Sequence, residues 1–254
     1  MERLVVKLGG RVQQDPRLPG MLAALASARP GALCIVHGGG DEISNLQRAM
    51  GIEPSFVHGR RVTSIQDIAL VRMALSGTSN KRLVSALVSA GARAVGISGE
   101  DAGLLVARVT DPAMGRVGRV ERVDTRLIEV LVADGYLPVI SPVARDSESA
   151  NGSALNVNGD DAAAAIAAAF GAAEILFLAD VDGVLDDGAV VPELDSDQAR
   201  ALVDRGVAVG GMAAKLDAAQ AALAAGVGRA RIGGLESLGD SALGTQITMA
   251  QAIA

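Results

Sequence analysis

The sequence is poor in the residues that most often mark a chemical speciality. A single cysteine, Cys34, excludes an internal disulfide and any cysteine-built metal cage. Set in an apolar run, it reads as a small buried hydrophobe. There are two histidines, His37 and His58, and aromatic residues make up 2% of the chain, so the core must be aliphatic and rich in alanine. No basic stripe is present and the formal charge is −6, which argues against a nucleic-acid partner. Long hydrophobic runs are missing too. The uncharged stretch 162–173 is far too short to cross a bilayer, so no membrane association is expected. Lys7 interrupts the first apolar run and no small-residue cleavage site follows, so no signal peptide is expected and a cytoplasmic location is.

What is there is an alternation of apolar runs and helical patterns over 254 residues, enough for one large α/β domain or two lobes. "RLVVKLGG" and "ALCIVHGGG" read as buried strands ending in glycine, with the helical "LPGMLAALASARPG" between them. "SNKRLVSALVSAGA", "TRLIEVLVADG", "DDAAAAIAAAFGAA" and "AAKLDAAQAALAAGVG" each lead into a further apolar strand. Such alternation predicts an α/β fold, a mainly parallel sheet covered by helices. Ligands then bind at the carboxyl ends of the strands. "LLVARVTDPAMGRVGRVERVD" breaks the rhythm and predicts a β-hairpin, and residues 145–153 predict a loop. Two lobes sharing one sheet, 1–170 and 171–254, are expected to divide near Gly171.

Five places carry candidate chemistry. Lys7 lies in a buried strand beside Gly9 and Gly10, and burying its charge requires a partner, either a structural acid or a bound anion. "CIVHGGGDEISN" stops a strand on three glycines and starts a helix, the arrangement that binds anions through backbone N–H groups, although a tight turn would look the same. "LNVNGDD" places Asp160 and Asp161 in the first turn of an alanine-rich helix, where capping and the helix dipole account for one of them. They do not account for Asn156 and Asn158, whose alternate spacing in an extended segment would aim both amides into one cleft. Lys215 lies about a turn into a helix after two glycines, where a solvated lysine is equally natural, and "FLADVDGVL" ends a strand on Asp180.

In order along the chain, Lys-x-Gly-Gly, His-Gly-Gly-Gly, "GRRVT", "GTSNKRL", "NVNGDD", "LADVDGVL", "GGMAAK" and "LGTQI" resemble the amino acid kinase family over nearly the whole length. "GRRVT", "GTSNKRL" and "NVNGDDAA" discriminate most, and resemble the branch that phosphorylates N-acetyl-L-glutamate in arginine biosynthesis. The resemblance implies a three-layer α/β/α sandwich and transfer of the γ-phosphate of ATP to a carboxylate, with Mg2+ held mainly by the nucleotide phosphates. It implies that Lys7 and Lys215 stabilise the transferring phosphoryl group and that Asp160 holds them. It gives Gly39 and Gly40 to the substrate through their N–H groups, and Arg61 and Asn156 to its carboxylate and amide. Gly9 and Gly10 fall to the nucleotide. So do Asp180, Val181, Asp182, Gly183, Val184 and Leu185, and further on Val207, Ala208, Val209 and Met212. Ala213 and Ala214 depart from the family, which usually has a larger apolar residue and a proline there, and so does Asp41, where a proline is common.

A carboxylate nucleophile, with a reference pKa of about 4.3, is ionised at neutral pH and needs no general base, which suits a chain with two histidines. Two rival readings stand beside this one. A kinase for carrier-linked glutamate or aminoadipate would need a basic docking patch on an acidic chain. A non-catalytic amino-acid sensor would have no use for Lys7, Asp160 and Lys215 together. Arginine-inhibited members of the family carry a helix before the first strand that links dimers into a ring, whereas here the apolar run begins almost at Met1. The expectation is a homodimer insensitive to arginine.

Overall fold

The computed structural model describes residues 1–57, 59–151 and 153–250; His58 lies outside them. The first apolar runs form β1 (Leu4–Leu8) and β2 (Leu33–His37), each followed by a helix: α1 (Leu18–Ala28) and α2 (Gly40–Ala49). A short hairpin of β3 (Phe56–Val57) and β4 (Arg60–Arg61) comes next. One continuous rod follows: α3 (Asp67–Arg72), a wide π turn at Met73–Ser79, and α4 (Asn80–Ser89). β5 (Ala94–Ser98), β6 (Leu105–Val109) and β7 (Val117–Val123) lead to α5 (Arg126–Ala133). After β8 (Leu137–Ser141), β9 (Val143–Asp146) and β10 (Ala154–Val157) comes α6 (Gly159–Ala169). The remainder begins with β11 (Glu174–Leu178), the hairpin of β12 (Leu185–Asp186) and β13 (Ala189–Val190), and β14 (Glu193–Asp195). It ends with α7 (Ser196–Asp204), α8 (Gly211–Ala224), β15 (Arg229–Gly233) and β16 (Thr245–Thr248).

Eight strands build the central sheet in the order β14-β16-β15-β11-β1-β2-β8-β5, parallel throughout except where β15 meets β16. Strand alternation divides its side chains between two cores. Val5, Cys34 and Phe177 face α5, α6, α7 and α8, whereas Val6, Ile35 and Leu176 face α1 and α4. This is the expected three-layer sandwich. The alanines of α6 let it lie close over the sheet: Ala162, Ala163 and Ala167 are fully buried. Among the described residues, no helix is long and apolar enough to cross a membrane.

Two expectations change in detail. The hairpin forms, but β6 and β7 close with β9 and β10 into a small four-stranded barrel beside the main sheet. The loop expected at 145–153 starts later, because Arg145 and Asp146 belong to β9. Pairing with β10 and β6 on either side supplies the backbone partners that a reading of polar composition does not see.

Candidate active site

Alternation along β1 turns Lys7 toward α6, where Lys7 and Asp160 are both buried with Nζ 2.7 Å from Oδ1. The contact is an ion pair poorly angled for a hydrogen bond. Lys215, one turn into α8, brings its Nζ to 3.8 Å from the other carboxylate oxygen and donates to Gly211 O at 3.3 Å. One buried and one largely buried ammonium group therefore share one carboxylate. Burial, with the charge of Lys7 beside it, holds the pKa of Lys215 below the ordinary lysine value, opposed by Asp160 and Asp180.

The acids of α6 are not its cap. Asn158 fills that role, its Oδ1 accepting from the N–H groups of Asp160 at 2.8 Å and Asp161 at 3.2 Å. This corrects the capping account of the aspartates and frees both carboxylates, Asp160 for the lysines and Asp161 for Arg60, whose Nη1 reaches Oδ2 at 2.6 Å. It also qualifies the expected amide pair. Asn156 and Asn158 do border one cavity, but the oxygen of Asn158 is committed to the helix, and Asn156 donates to Thr63 Oγ1 at 2.9 Å.

That cavity, of about 180 Å³, lies against the glycine turn and brings together Gly39, Gly40, Arg61 and Asn156. The glycines have separable reasons. A Cβ at Gly39 would stand 2.7 Å from Leu75 Cδ2 and 2.9 Å from Ser79 Oγ, and one at Gly9 would stand 2.9 Å from Leu178 O. At Gly10 and Gly40 a Cβ would meet nothing within 4 Å, so packing within the protein does not demand glycine there. Gly39 makes no side-chain cap, which leaves the first N–H groups of α2 pointing out of the helix end. Arg61 is buried and spends three N–H donors on Gln47, on Gly40 O at 2.8 Å and on Ser44 Oγ at 2.7 Å, with its guanidinium 4.7 Å from the Phe56 ring centroid. Among the described residues it has no carboxylate within ion-pair distance. Burial lowers its pKa, yet a guanidinium stays charged.

The segments expected along the nucleotide follow the carboxyl end of β11 and precede α8, and their side chains divide. Asp180 reaches Arg11 at 3.2 Å, while Val181, Leu185, Val207 and Val209 leave the core. Val184 and Ala208 are buried in the core and Met212 packs against it. Val184 and Ala208 can therefore offer a ligand only backbone. Gly183 has a packing reason, since a Cβ there would stand 2.6 Å from Val190. Asp182 borders a separate cavity of about 360 Å³ with Gly234, Ser237 and Gly244.

Several residues at the site escaped the sequence reading. Gln13 donates to both Gly9 O and Gly38 O at 3.1 Å and so ties the two glycine turns together. His37 is fully buried; its Nδ1 donates to Gly38 O at 2.9 Å and its Nε2 accepts from Asn80 at 3.1 Å, and burial drives its pKa down to about 4. It is a neutral structural group behind the glycines. Nothing in one-dimensional spacing marks Gln13, because its partners lie on two different strand ends. Asn158 did carry a signal, an Asn directly ahead of a helical run.

Phosphate-sized anions are what buried lysines, open helix N-termini and glycine turns at strand ends accommodate, and together they define an anion-handling α/β enzyme. The chain belongs to the amino acid kinase family, whose model matches residues 2–234. It is 43% identical over 247 residues to the acetylglutamate kinase of Chloroflexus aurantiacus, covering 96% of each chain. To the acetylglutamate kinase of Solibacter usitatus it is 44% identical over 234 residues, covering 91% of this chain and 90% of that one. Among solved structures, a protein from Streptococcus mutans UA159 superposes with a TM-score of 0.87 at 31% identity, covering 97% of this chain and 98% of that one.

Proposed function

We propose that the chain transfers the γ-phosphate of ATP to the γ-carboxylate of N-acetyl-L-glutamate in arginine biosynthesis. The observation that carries this reading is the pair of buried lysines on Asp160, set beside a cavity walled by the buried, carboxylate-free Arg61. A carboxylate oxygen of the substrate forms a bond to the γ-phosphorus while the bond from that phosphorus to the β,γ-bridging oxygen breaks. The electron pair leaves with ADP, and no proton moves. Positioning and charge supply most of the acceleration in such a transfer. Lys7 and Lys215 face the charge that spreads over the transferring group, and Asp160 holds the two ammonium groups apart from each other and in place. Arg61 takes the α-carboxylate, Asn156 the amide, and the N–H groups of Gly39 and Gly40 the reacting carboxylate. Gly9, Gly10, the stretch 180–185 and residues 207–212 lie along the nucleotide. The nucleotide phosphates would hold most of a magnesium ion's ligand shell and the ion would offset their charge, which fits a centre whose nearest carboxylate, Asp160, is already committed to two lysines.

We place this enzyme in the cytoplasm, with 1–170 as the amino-acid lobe and 171–254 as the nucleotide lobe. It assembles as a homodimer through helices of the first lobe, so light scattering should give twice the mass of one chain. The decisive assay is ATP turnover with N-acetyl-L-glutamate, L-glutamate and L-aspartate. Turnover confined to the acetylated substrate supports the reading; equal or greater turnover of a free amino acid overturns it.

A further inference from the structure

A second cavity, of about 640 Å³, lies behind the first, between the β6–β7 hairpin and the outer faces of α6 and α8. Among the described residues, two line both: Arg60 and Val117. The two cavities therefore adjoin at these residues, one long side chain and one short one. Arg60 and Arg61 are consecutive in a strand, so their side chains leave it on opposite sides. Arg61 goes under α2 to Gln47 and Ser44. Arg60 instead crosses to α6, where its two terminal nitrogens meet the two oxygens of Asp161 at 2.6 and 3.4 Å. Asp217 of α8 adds further negative charge near the same guanidinium. The arginine is thus latched across the mouth of the second cavity rather than left to rotate.

Behind it the space is lined by short side chains, Ala164, Ala165, Ala218 and Ala221 among them, with Met114 and Val120 opposite. Alanines on two facing helices leave room for an alkyl chain and give it an apolar wall. The register of the small barrel fixes which part of a substrate points there. Val117 pairs directly with Asn156 across β7 and β10. A substrate amide held by Asn156 consequently places its acyl carbons against Val117 and Arg60, at the partition itself.

Building on the assignment of an N-acylated glutamate as substrate, we propose that Arg60, latched by Asp161, sets the length of the acyl group that the enzyme accepts. An acetyl methyl ends before the arginine. A longer acyl chain can be housed only by displacing Arg60 from Asp161 and entering the second cavity, which separates a half-buried ion pair. Arg60 is in this sense a specificity-determining residue, and the second cavity is a latent acyl pocket that Arg60 screens from the first.

The test compares kcat/KM for N-acetyl-, N-butyryl- and N-hexanoyl-L-glutamate at saturating ATP in the full-length protein. The unmodified enzyme should discriminate against hexanoyl by about 100-fold or more, the scale set by pocket exclusion of added carbons. Arg60→Ala should narrow that ratio at least tenfold, whatever it does to the absolute rate. Asp161→Asn keeps the bulk of the arginine but weakens its latch, and should narrow the ratio less. Adding Ala221→Phe to Arg60→Ala fills the space behind and should restore the discrimination. An unchanged ratio in well-folded Arg60→Ala, or relaxed discrimination that Ala221→Phe leaves intact, overturns the proposal. A protein that does not phosphorylate N-acetyl-L-glutamate at all shows a different failure, that of the substrate assignment.

Discussion

Lys215 is the residue whose surroundings speak most directly of a task. A solvated helical lysine would lie at the surface, whereas this side chain is largely buried against a second lysine and shares its counter-ion. Such an arrangement stores repulsion that an arriving anion relieves, and it is placed to act on the charge that redistributes over the transferring and departing oxygens in the transition state. Lys215→Ala should therefore lower kcat by about 100-fold or more, the loss typical of a preorganised stabilising donor. It should move the KM for the acetylated substrate less. Retention of half the normal kcat would remove Lys215 from the chemistry. Arg61 makes the complementary case. Its planar fork is fixed by Gln47, Ser44 and Gly40, and a lysine cannot reproduce that geometry. Arg61→Lys should raise the KM for N-acetyl-L-glutamate while the KM for ATP stays nearly constant; a shift in the ATP value instead would place Arg61 on the nucleotide side. His37 contributes to stability alone. Its folded pKa of about 4 lies below the ordinary value of 6.5, so below pH 6.5 the unfolded chain binds the extra proton and the fold loses stability as pH falls toward 4. From pH 7 to pH 5 the loss from this group is about 2 kcal/mol. Urea melts at the two pH values should show His37→Gln losing less on acidification than the unmodified protein, a comparison in which every other titrating group is common to both.

At the scale of elements, the glycine turn after β2 separates what packing demands from what a ligand demands. Gly39 is crowded by Leu75 and Ser79, which the π turn at Met73–Ser79 presses against the start of α2. Gly40 is open. Gly39→Ala should thus destabilise the fold by about 1–3 kcal/mol, as overpacking does. Gly40→Ala should leave the urea midpoint where it is, yet lower kcat/KM because the added methyl occupies space that the substrate approaches. If Gly40→Ala proves kinetically silent, no ligand comes close to that backbone. The same contrast marks how far the sequence could be read. The strands, the helices and the sandwich were legible because period and punctuation are local: glycines end β1 and β2, and alanines fill α6. Lys7 stood out as charge in a buried strand and Asp160 as one of two adjacent acids, whereas Lys215 was joined to them only by the family resemblance; the structure brings those three together. What was not legible depends on contacts distant in the chain. β9 needed β6 and β10 to become a strand, Gln13 needed both glycine turns, and Arg60 needed Asp161, 101 residues away. Asn158 differs from its expected role for another reason: its place directly ahead of α6 makes it the cap, and that local demand outweighs the alternating amide pattern it shares with Asn156.

The whole molecule meets at its charge centre. Lys7 comes from the first strand of the sheet, Asp160 from the helix ahead of β11 and Lys215 from α8, so the ion triad joins parts of the chain that enter the sheet at different points. With one carboxylate at ion-pair distance from two ammonium groups, and Asp180 beyond it already paired with Arg11, the centre carries a surplus positive charge, and the fold bears the cost of that surplus until an anion binds. An anion that neutralises it should therefore stabilise the entire cooperative unit, not the site alone. Binding to the folded form only, at 100 times the dissociation constant, contributes about 2.7 kcal/mol. For a chain of this size that corresponds to roughly 5–10 °C in Tm. A non-hydrolysable ATP analogue with magnesium should produce a rise of that order in a thermal-shift measurement. Lys215→Met, which removes the surplus charge, should start from a Tm equal to or above that of the unmodified protein and respond to the analogue far less. Asp160→Asn should do the reverse. It strips the counter-ion from both lysines, lowers the starting Tm, and should make the stabilisation by the analogue larger relative to that start. The pattern across the three proteins is the measurement that matters: if Lys215→Met responds to the analogue as strongly as the unmodified protein, the charge centre does not hold the nucleotide phosphates, and the two lysines serve the fold alone.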